Sequence, residues 1–222
     1  MLNFFIIVVA IILLLGLLYC ENKKNRRGLL LTKTLLSSLF ILAVLVQAHS
    51  IPRYFYYLLV GLIFCLGGDV FLALPQKRMF FLGLVSFLFG HIFYIFSFFY
   101  VAQTSLWTWV GSLIVLAISG WVYFWLRPHL GSMNLPVLLY VIVITAMVSG
   151  AFSVLGDANL HSLGRIMVFS GALSFYFSDV FVARDRFLKN EFVNRLVGLP
   201  MYYTGQFLLV FSVGLLKVQP PG

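Results

Sequence analysis

Long apolar runs alternate along the chain with short breaks that carry most of the charge. The runs fall at Leu2–Cys20, Leu29–Ala48, Tyr54–Leu74, Phe80–Tyr100, Leu106–Leu126, Leu135–Leu155, Leu163–Ala183 and Leu196–Leu216. Each has about the 20 residues that a helix needs to cross the hydrocarbon of a bilayer. The runs are continuous, whereas a membrane β-barrel shows short segments of alternating polarity. In lipid a continuous run satisfies its backbone only as a helix. The pattern therefore predicts an all-α membrane protein, with eight transmembrane helices forming a single domain over residues 1–222. No linker or low-complexity stretch separates them.

Composition narrows the picture further. Of the 222 residues, 62% are hydrophobic and only 9% charged. Soluble domains carry about a quarter charged residues, and disordered chains are polar and charge-dense, so both classes are excluded. The first run has no basic residue before it and is followed by Lys23, Lys24, Arg26 and Arg27. It reads as a retained helix rather than a signal peptide. Tyr19 before Cys20, in place of a small residue, argues against lipoprotein cleavage.

Charge predicts the topology. Twelve of the 15 Lys and Arg residues fall at the side of the loops after helices 1, 3, 5 and 7, leaving Arg53, Arg165 and Lys217 opposite. The positive-inside rule then puts those loops in the cytoplasm and both termini outside. The net charge of +9 is mostly this orientation signal. A nucleic-acid partner would need a basic face on a folded soluble surface, which the pattern does not provide. The bilayer is the expected environment, and short loops without organelle signals point to a bacterial inner membrane. Cys20 and Cys65 imply no disulfide framework. Oligomeric state is not legible.

The chain also repeats itself. Gly68-Asp69-Val70-Phe71-Leu72-Ala73 matches Ser178-Asp179-Val180-Phe181-Val182-Ala183, and Phe89-Gly90-His91-Ile92-Phe93 matches Thr204-Gly205-Gln206-Phe207-Leu208. A Phe-Ser pair follows in both copies, Phe96-Ser97 and Phe211-Ser212. Helices 3 and 7 run in the same direction. The repeat is thus a parallel 4+4 arrangement about an axis along the membrane normal. Helices 1–2 and 5–6 show no comparable match. The repeat makes Asp69 equivalent to Asp179 and sets His91 opposite Gln206.

Only two acids, Asp69 and Asp179, lie within the runs. An ionisable group in a span costs about 2.5–3.5 kcal/mol on insertion scales and usually faces a bundle interior. Counted from the nearest helix end, Asp69, Asp179 and Lys33 all lie ~7.5–9 Å deep at 1.5 Å per residue, at the level of a lipid's glycerol. Two carboxylates together in a low-dielectric pocket do not both ionise easily, so one is expected to keep its proton. That leaves an acid and a base for hydrolysis, with Lys33 as a point charge for a lipid phosphate. A structural ion cluster and a proton- or ion-coupled transport site fit the same three residues.

The remaining candidates are uncharged or deeper. His91 lies near the middle of helix 4, with Tyr94 on the same face three residues on. Tyr203 and Gln206 share that spacing in helix 8, and Tyr140 follows Pro136 in helix 6. These residues are candidates for orienting substrate or water, against the plainer role of interhelical packing and hydrogen bonding. Zinc needs three or four converging ligands, which the spacing of the four histidines does not supply. No Gly-x-Ser-x-Gly elbow marks a serine nucleophile.

At these residues the sequence resembles the YhhN-like lysoplasmalogenase family, over essentially the whole chain. The resemblance rests on Gly68-Asp69-Val70-Phe71-Leu72, Gly90-His91-Ile92-Phe93-Tyr94, Phe177-Ser178-Asp179 and Tyr202-Tyr203-Thr204-Gly205-Gln206. Lys33 in Thr32-Lys33-Thr34-Leu35 and Tyr140 after Pro136 also resemble family positions. Thr34 departs from the pattern, in which proline follows the lysine; this bears on the bend of helix 2 more than on chemistry. The resemblance implies hydrolysis of the vinyl ether of lysoplasmalogens to a fatty aldehyde and glycerophosphoethanolamine or glycerophosphocholine. It implies an aspartate pair as catalytic acid and base, matching Asp69 and Asp179. It implies a lysophospholipid substrate, and neither a metal nor an organic cofactor.

Overall fold

The computed structural model describes residues 1–217. Each apolar run is one helix: α1 (Leu2–Asn22), α2 (Arg26–Leu45), α3 (Pro52–Ala73), α4 (Lys77–Val101), α5 (Leu106–Leu126), α6 (Asn134–Gly156), α7 (Ser162–Ala183) and α8 (Phe192–Leu215). All eight are long and apolar enough to span a membrane, and the protein is an integral membrane protein. Local chemistry sets several starts. The Asn25 side chain accepts a hydrogen bond from the Gly28 N–H at 3.2 Å and caps α2. Pro52 opens α3, where its missing N–H costs nothing. Thr108 Oγ1 accepts from the Ser105 N–H at the head of α5, at 2.9 Å. After α7 the chain does not stop cleanly but winds through one wide π-helical turn, Arg184–Leu188.

Burial is inverted relative to a soluble protein. Large apolar side chains such as Ile12, Leu113, Trp107 and Trp121 face outward. Polar ones including Lys33, Ser37, Asp69, His91 and Gln206 are buried. Lipid is the solvent for which this pattern is favourable, because an apolar exterior costs nothing there and the polar groups find partners inside. On α5, Trp107 and Trp109 near one end and Trp121 and Trp125 near the other are exposed, as expected of residues at the two interfaces.

Six helices form a closed ring of neighbours in the order α2, α3, α4, α6, α7, α8. The other two pack outside it, α1 against α2 and α8, and α5 against α6. Renumbering each helix by four maps the main contacts onto themselves: α1–α2 onto α5–α6, α2–α3 onto α6–α7, α3–α4 onto α7–α8, and α8–α2 onto α4–α6. The main neighbour relations thus recur between the two halves, including helices whose sequences do not match.

The tightest pairs, α3–α4 and α7–α8, cross at glycines in equivalent positions. A Cβ built on Gly90 would sit 3.1 Å from the Gly61 carbonyl oxygen, and one on Gly61 would sit 3.0 Å from that of Gly90. The Gly171–Gly205 crossing is closer still, at 2.9 and 2.8 Å. Backbones approach this closely only where side chains are absent, a common device of membrane helices. The two crossings hold α3 and α7, and the aspartates they carry, at fixed heights.

Candidate functional site

The buried polar groups gather where α2, α3, α6, α7 and α8 face one another. From α2, Lys33 Nζ lies 3.9 Å from Asp69 Oδ1. One turn on, Ser37 donates to Asp69 Oδ2 at 2.6 Å. From α8, the Tyr202 hydroxyl donates to the same oxygen at 2.6 Å. Across the site, the Tyr140 hydroxyl of α6 donates to Asp179 Oδ2 at 2.6 Å. Pro200 interrupts the backbone ladder of α8 just before Tyr202.

A second layer stands behind these groups. Gln206 Nε2 donates to the Tyr202 oxygen at 3.2 Å, and the Tyr94 hydroxyl donates to Gln206 Oε1 at 2.7 Å. Cys65 Sγ lies 3.6 Å from the Tyr94 hydroxyl. The Tyr203 hydroxyl lies 3.4 Å from Ser37 Oγ. His91 is wholly buried, and among the described residues neither of its ring nitrogens has a hydrogen-bond partner. It is walled by rings, with the centroids of Phe175 at 4.6 Å, Tyr140 at 5.3 Å and Tyr94 at 6.3 Å.

A cavity of about 380 Å³ opens onto the first layer. Lys33, Asp69, Tyr140, Asp179 and Tyr202 line its inner part. Leu84, Phe87, Val122, Leu126, Val137 and Ile144 make an apolar wall, and Arg186, Asn190 and Arg195 stand towards the basic end of the bundle. The cavity thus joins two carboxyl groups, an apolar surface and cations.

The rim near the basic end is tied together by ions. Asp185, in the π-turn, is buried and accepts from Arg195 Nη2 at 2.6 Å and Nε at 3.2 Å. Arg195 also pairs with Glu21 of α1 at 3.3 Å. Arg184 donates to Asn194 and to Glu191, the latter at 3.0 Å. Lys189 lies 2.6 Å from Glu191. These partners, Lys189 first, hold the Glu191 carboxyl below its ordinary range. The Arg186 guanidinium lies over the Phe80 ring, 4.3 Å from its centroid.

Of the residues singled out from sequence, Lys33, Asp69, Asp179 and Tyr140 meet at the cavity, while Tyr94, Gln206, Tyr203 and His91 lie behind its wall. Sequence reasoning missed Ser37 and Tyr202. Both carried a signal: Ser37 is one helical turn from Lys33, and Tyr202 one turn before Gln206, so each shares a face with a residue already marked. It also missed the buried Asp185, which follows the seventh apolar run. Among the described residues no three of His, Cys, Asp and Glu converge as a metal site would require.

The family model described as the YhhN family matches residues 28–213 of this chain. A protein of Mycobacterium tuberculosis (strain CDC 1551 / Oshkosh) named lysoplasmalogenase is 29% identical over 170 residues, 74% of this chain and 61% of that protein. Human "Lysoplasmalogenase TMEM86A" is 33% identical over 155 residues, 69% of this chain and 63% of its own length. Mouse "Lysoplasmalogenase TMEM86B" is 31% identical over 159 residues, covering 70% and 63%. The matched segment therefore spans a little over three fifths of each relative. No solved structure matches the chain.

Proposed function

The chain belongs to the YhhN family, and on that premise we propose that it is a membrane hydrolase that cleaves the vinyl ether bond of lysoplasmalogens. The observation that carries the reading is the pair Asp69 and Asp179, brought from α3 and α7 to one partly apolar cavity. The names of the relatives supply the reaction; the cavity supplies groups able to perform it. The basic end faces the cytoplasm in this reading, in a bacterial inner membrane. The lipid tail lies along the apolar wall. The phosphate lies towards Lys33 and Arg186, the latter seven residues beyond Asp179 and so roughly 10 Å along the helix.

One carboxylic acid gives its proton to the β-carbon of the enol ether, and the ether oxygen stabilises the resulting oxocarbenium. The other carboxylate takes a proton from water as its oxygen bonds to the cationic carbon. The hemiacetal then collapses: the second Asp returns its proton to the departing glycerol oxygen, and the first takes the proton of the hydroxyl that becomes the aldehyde. Both side chains end as they began. Tyr140, Tyr202 and Ser37 hold the carboxyl groups in place. Products are a fatty aldehyde and glycerophosphoethanolamine or glycerophosphocholine.

Purified protein given lysoplasmalogen in D2O should release aldehyde that carries one deuterium beside the carbonyl once trapped by reduction. The saturated alkyl-ether analogue should be inert. Equal cleavage of the two ethers, or aldehyde without that deuterium, would sink the mechanism. Flux of intact lipid into proteoliposomes with no aldehyde would instead favour a transporter.

A further inference from the structure

Asp69 and Asp179 occupy equivalent places in the repeat, yet their surroundings differ. Asp69 is buried to 2% exposure and receives hydrogen bonds from Ser37 and Tyr202, with Lys33 beside its other oxygen. Asp179 is partly open to the cavity and has one hydrogen-bond partner among the described residues, Tyr140. Its Oδ1 has none there, and no cation lies within ion-pair distance of it among the described residues.

The second layer reinforces the difference because its hydrogen bonds have a direction. Tyr94 donates to Gln206, Gln206 donates to the Tyr202 oxygen, and Tyr202 donates to Asp69. With the Tyr202 oxygen already accepting from the amide, its single proton is committed to Asp69. The chain ends on Asp69 Oδ2, which accepts from both Tyr202 and Ser37, the pattern an ionised carboxylate takes best. Donors aimed at a carboxylate favour its charged form. In the repeat, the Gly90–Gly205 match places Phe87 at the position of Tyr202. Phe87 also lines the cavity, but it has no hydroxyl to give.

We infer that Asp69 is the carboxylate of the pair and Asp179 the protonated acid, with Tyr202 the positioning residue that separates their roles. The inference takes its chemistry from the proposed hydrolysis. Asp179, which lines the cavity, protonates the enol ether carbon and becomes a carboxylate. Asp69 removes a proton from the attacking water, passes it to the leaving glycerol oxygen, and is ionised again. Asp179 regains its proton from the hemiacetal hydroxyl. No other donor or acceptor is consumed.

Infrared difference spectroscopy of the purified, substrate-free protein at neutral pH reads the proton directly, through the C=O stretch of a protonated carboxyl. The band is expected in the intact protein, lost in Asp179→Asn and kept in Asp69→Asn. Tyr202→Phe preserves the ring but removes the donor, and is expected to add a second band. It should also lower kcat about tenfold to hundredfold with little change in KM, as loss of a hydrogen bond to a charged group predicts. A band lost in Asp69→Asn and kept in Asp179→Asn, or any other pattern, including no band in the intact protein, overturns the assignment. If Asp69→Asn fails to fold, Tyr202→Phe alone decides, because an unchanged spectrum removes its role. The spectra need no substrate. An inactive protein with the expected bands would refute the hydrolase reading and leave the proton where it is placed here.

Discussion

Asn in place of either aspartate keeps the size and much of the hydrogen bonding but removes the site that gains and loses a proton. Asp69→Asn and Asp179→Asn are each expected to lower aldehyde release by about 10²–10⁴-fold, the usual contribution of a positioned acid or base. Full activity in both would end the paired-carboxylate account. At this scale the charged members of the site were legible because charge is so scarce: 9% of the chain. The neutral partners were hidden among many equals. Tyr202 and Tyr203 are adjacent, and only the rotation of α8 decides that Tyr202 meets Asp69 while Tyr203 meets Ser37. Gln206 lies four residues after Tyr202 and three after Tyr203, so its face includes both and does not choose between them. Ser37 is likewise one hydroxyl among several that make ordinary helix contacts.

At the scale of helices, the glycine crossings position the site without touching it. Gly205→Val would drive a branched side chain into the Gly171 carbonyl and the α7 backbone. The expected loss is about 1–3 kcal/mol of stability, the usual cost of overpacking, read as a lower unfolding temperature in detergent. Wild-type stability in this variant would show that the crossing has slack. The ionic rim offers a second measurement. Glu191 is held below its ordinary range by Lys189 and Arg184, so its stabilising contribution is present above that range and lost as pH falls through its lowered pKa. Glu191→Gln should therefore differ from the intact protein at neutral pH and converge with it in acid, in thermal scans across pH. A constant difference at all pH values would contradict the pairing. Helix number and order were readable from the apolar runs. The π-turn and its buried Asp185 were not, because its acid is satisfied by Arg195, Asn190 and Asn194, partners the local sequence pattern does not single out.

For the whole molecule, the inside-out burial and the lopsided distribution of cations make one prediction. In a Cys20→Ala background, Asn159→Cys should react with an impermeant maleimide added to intact cells. Ser132→Cys, at the basic end, should react only after lysis. The reverse pattern would invert the proposed topology and place the cavity mouth on the other leaflet. The ring of six helices was not predictable from the chain alone, since hydropathy ranks spans but does not choose their neighbours. The match of helices 3–4 with 7–8 indicated part of it. The likeness of α1–α2 to α5–α6 lies only in which helices they pack against, and their sequences do not repeat.

The contacts that map onto themselves describe a shape that two copies of a four-helix chain would make side by side. Such a dimer would place the same residue on both sides of the cavity, so any change at the Tyr202 position would be made twice. Two identical carboxyl environments would then compete for one proton. Within a single chain, the two positions carry Tyr202 and Phe87 independently. Covalent linkage of the halves would thus let two similar halves hold the division of labour proposed for Asp69 and Asp179.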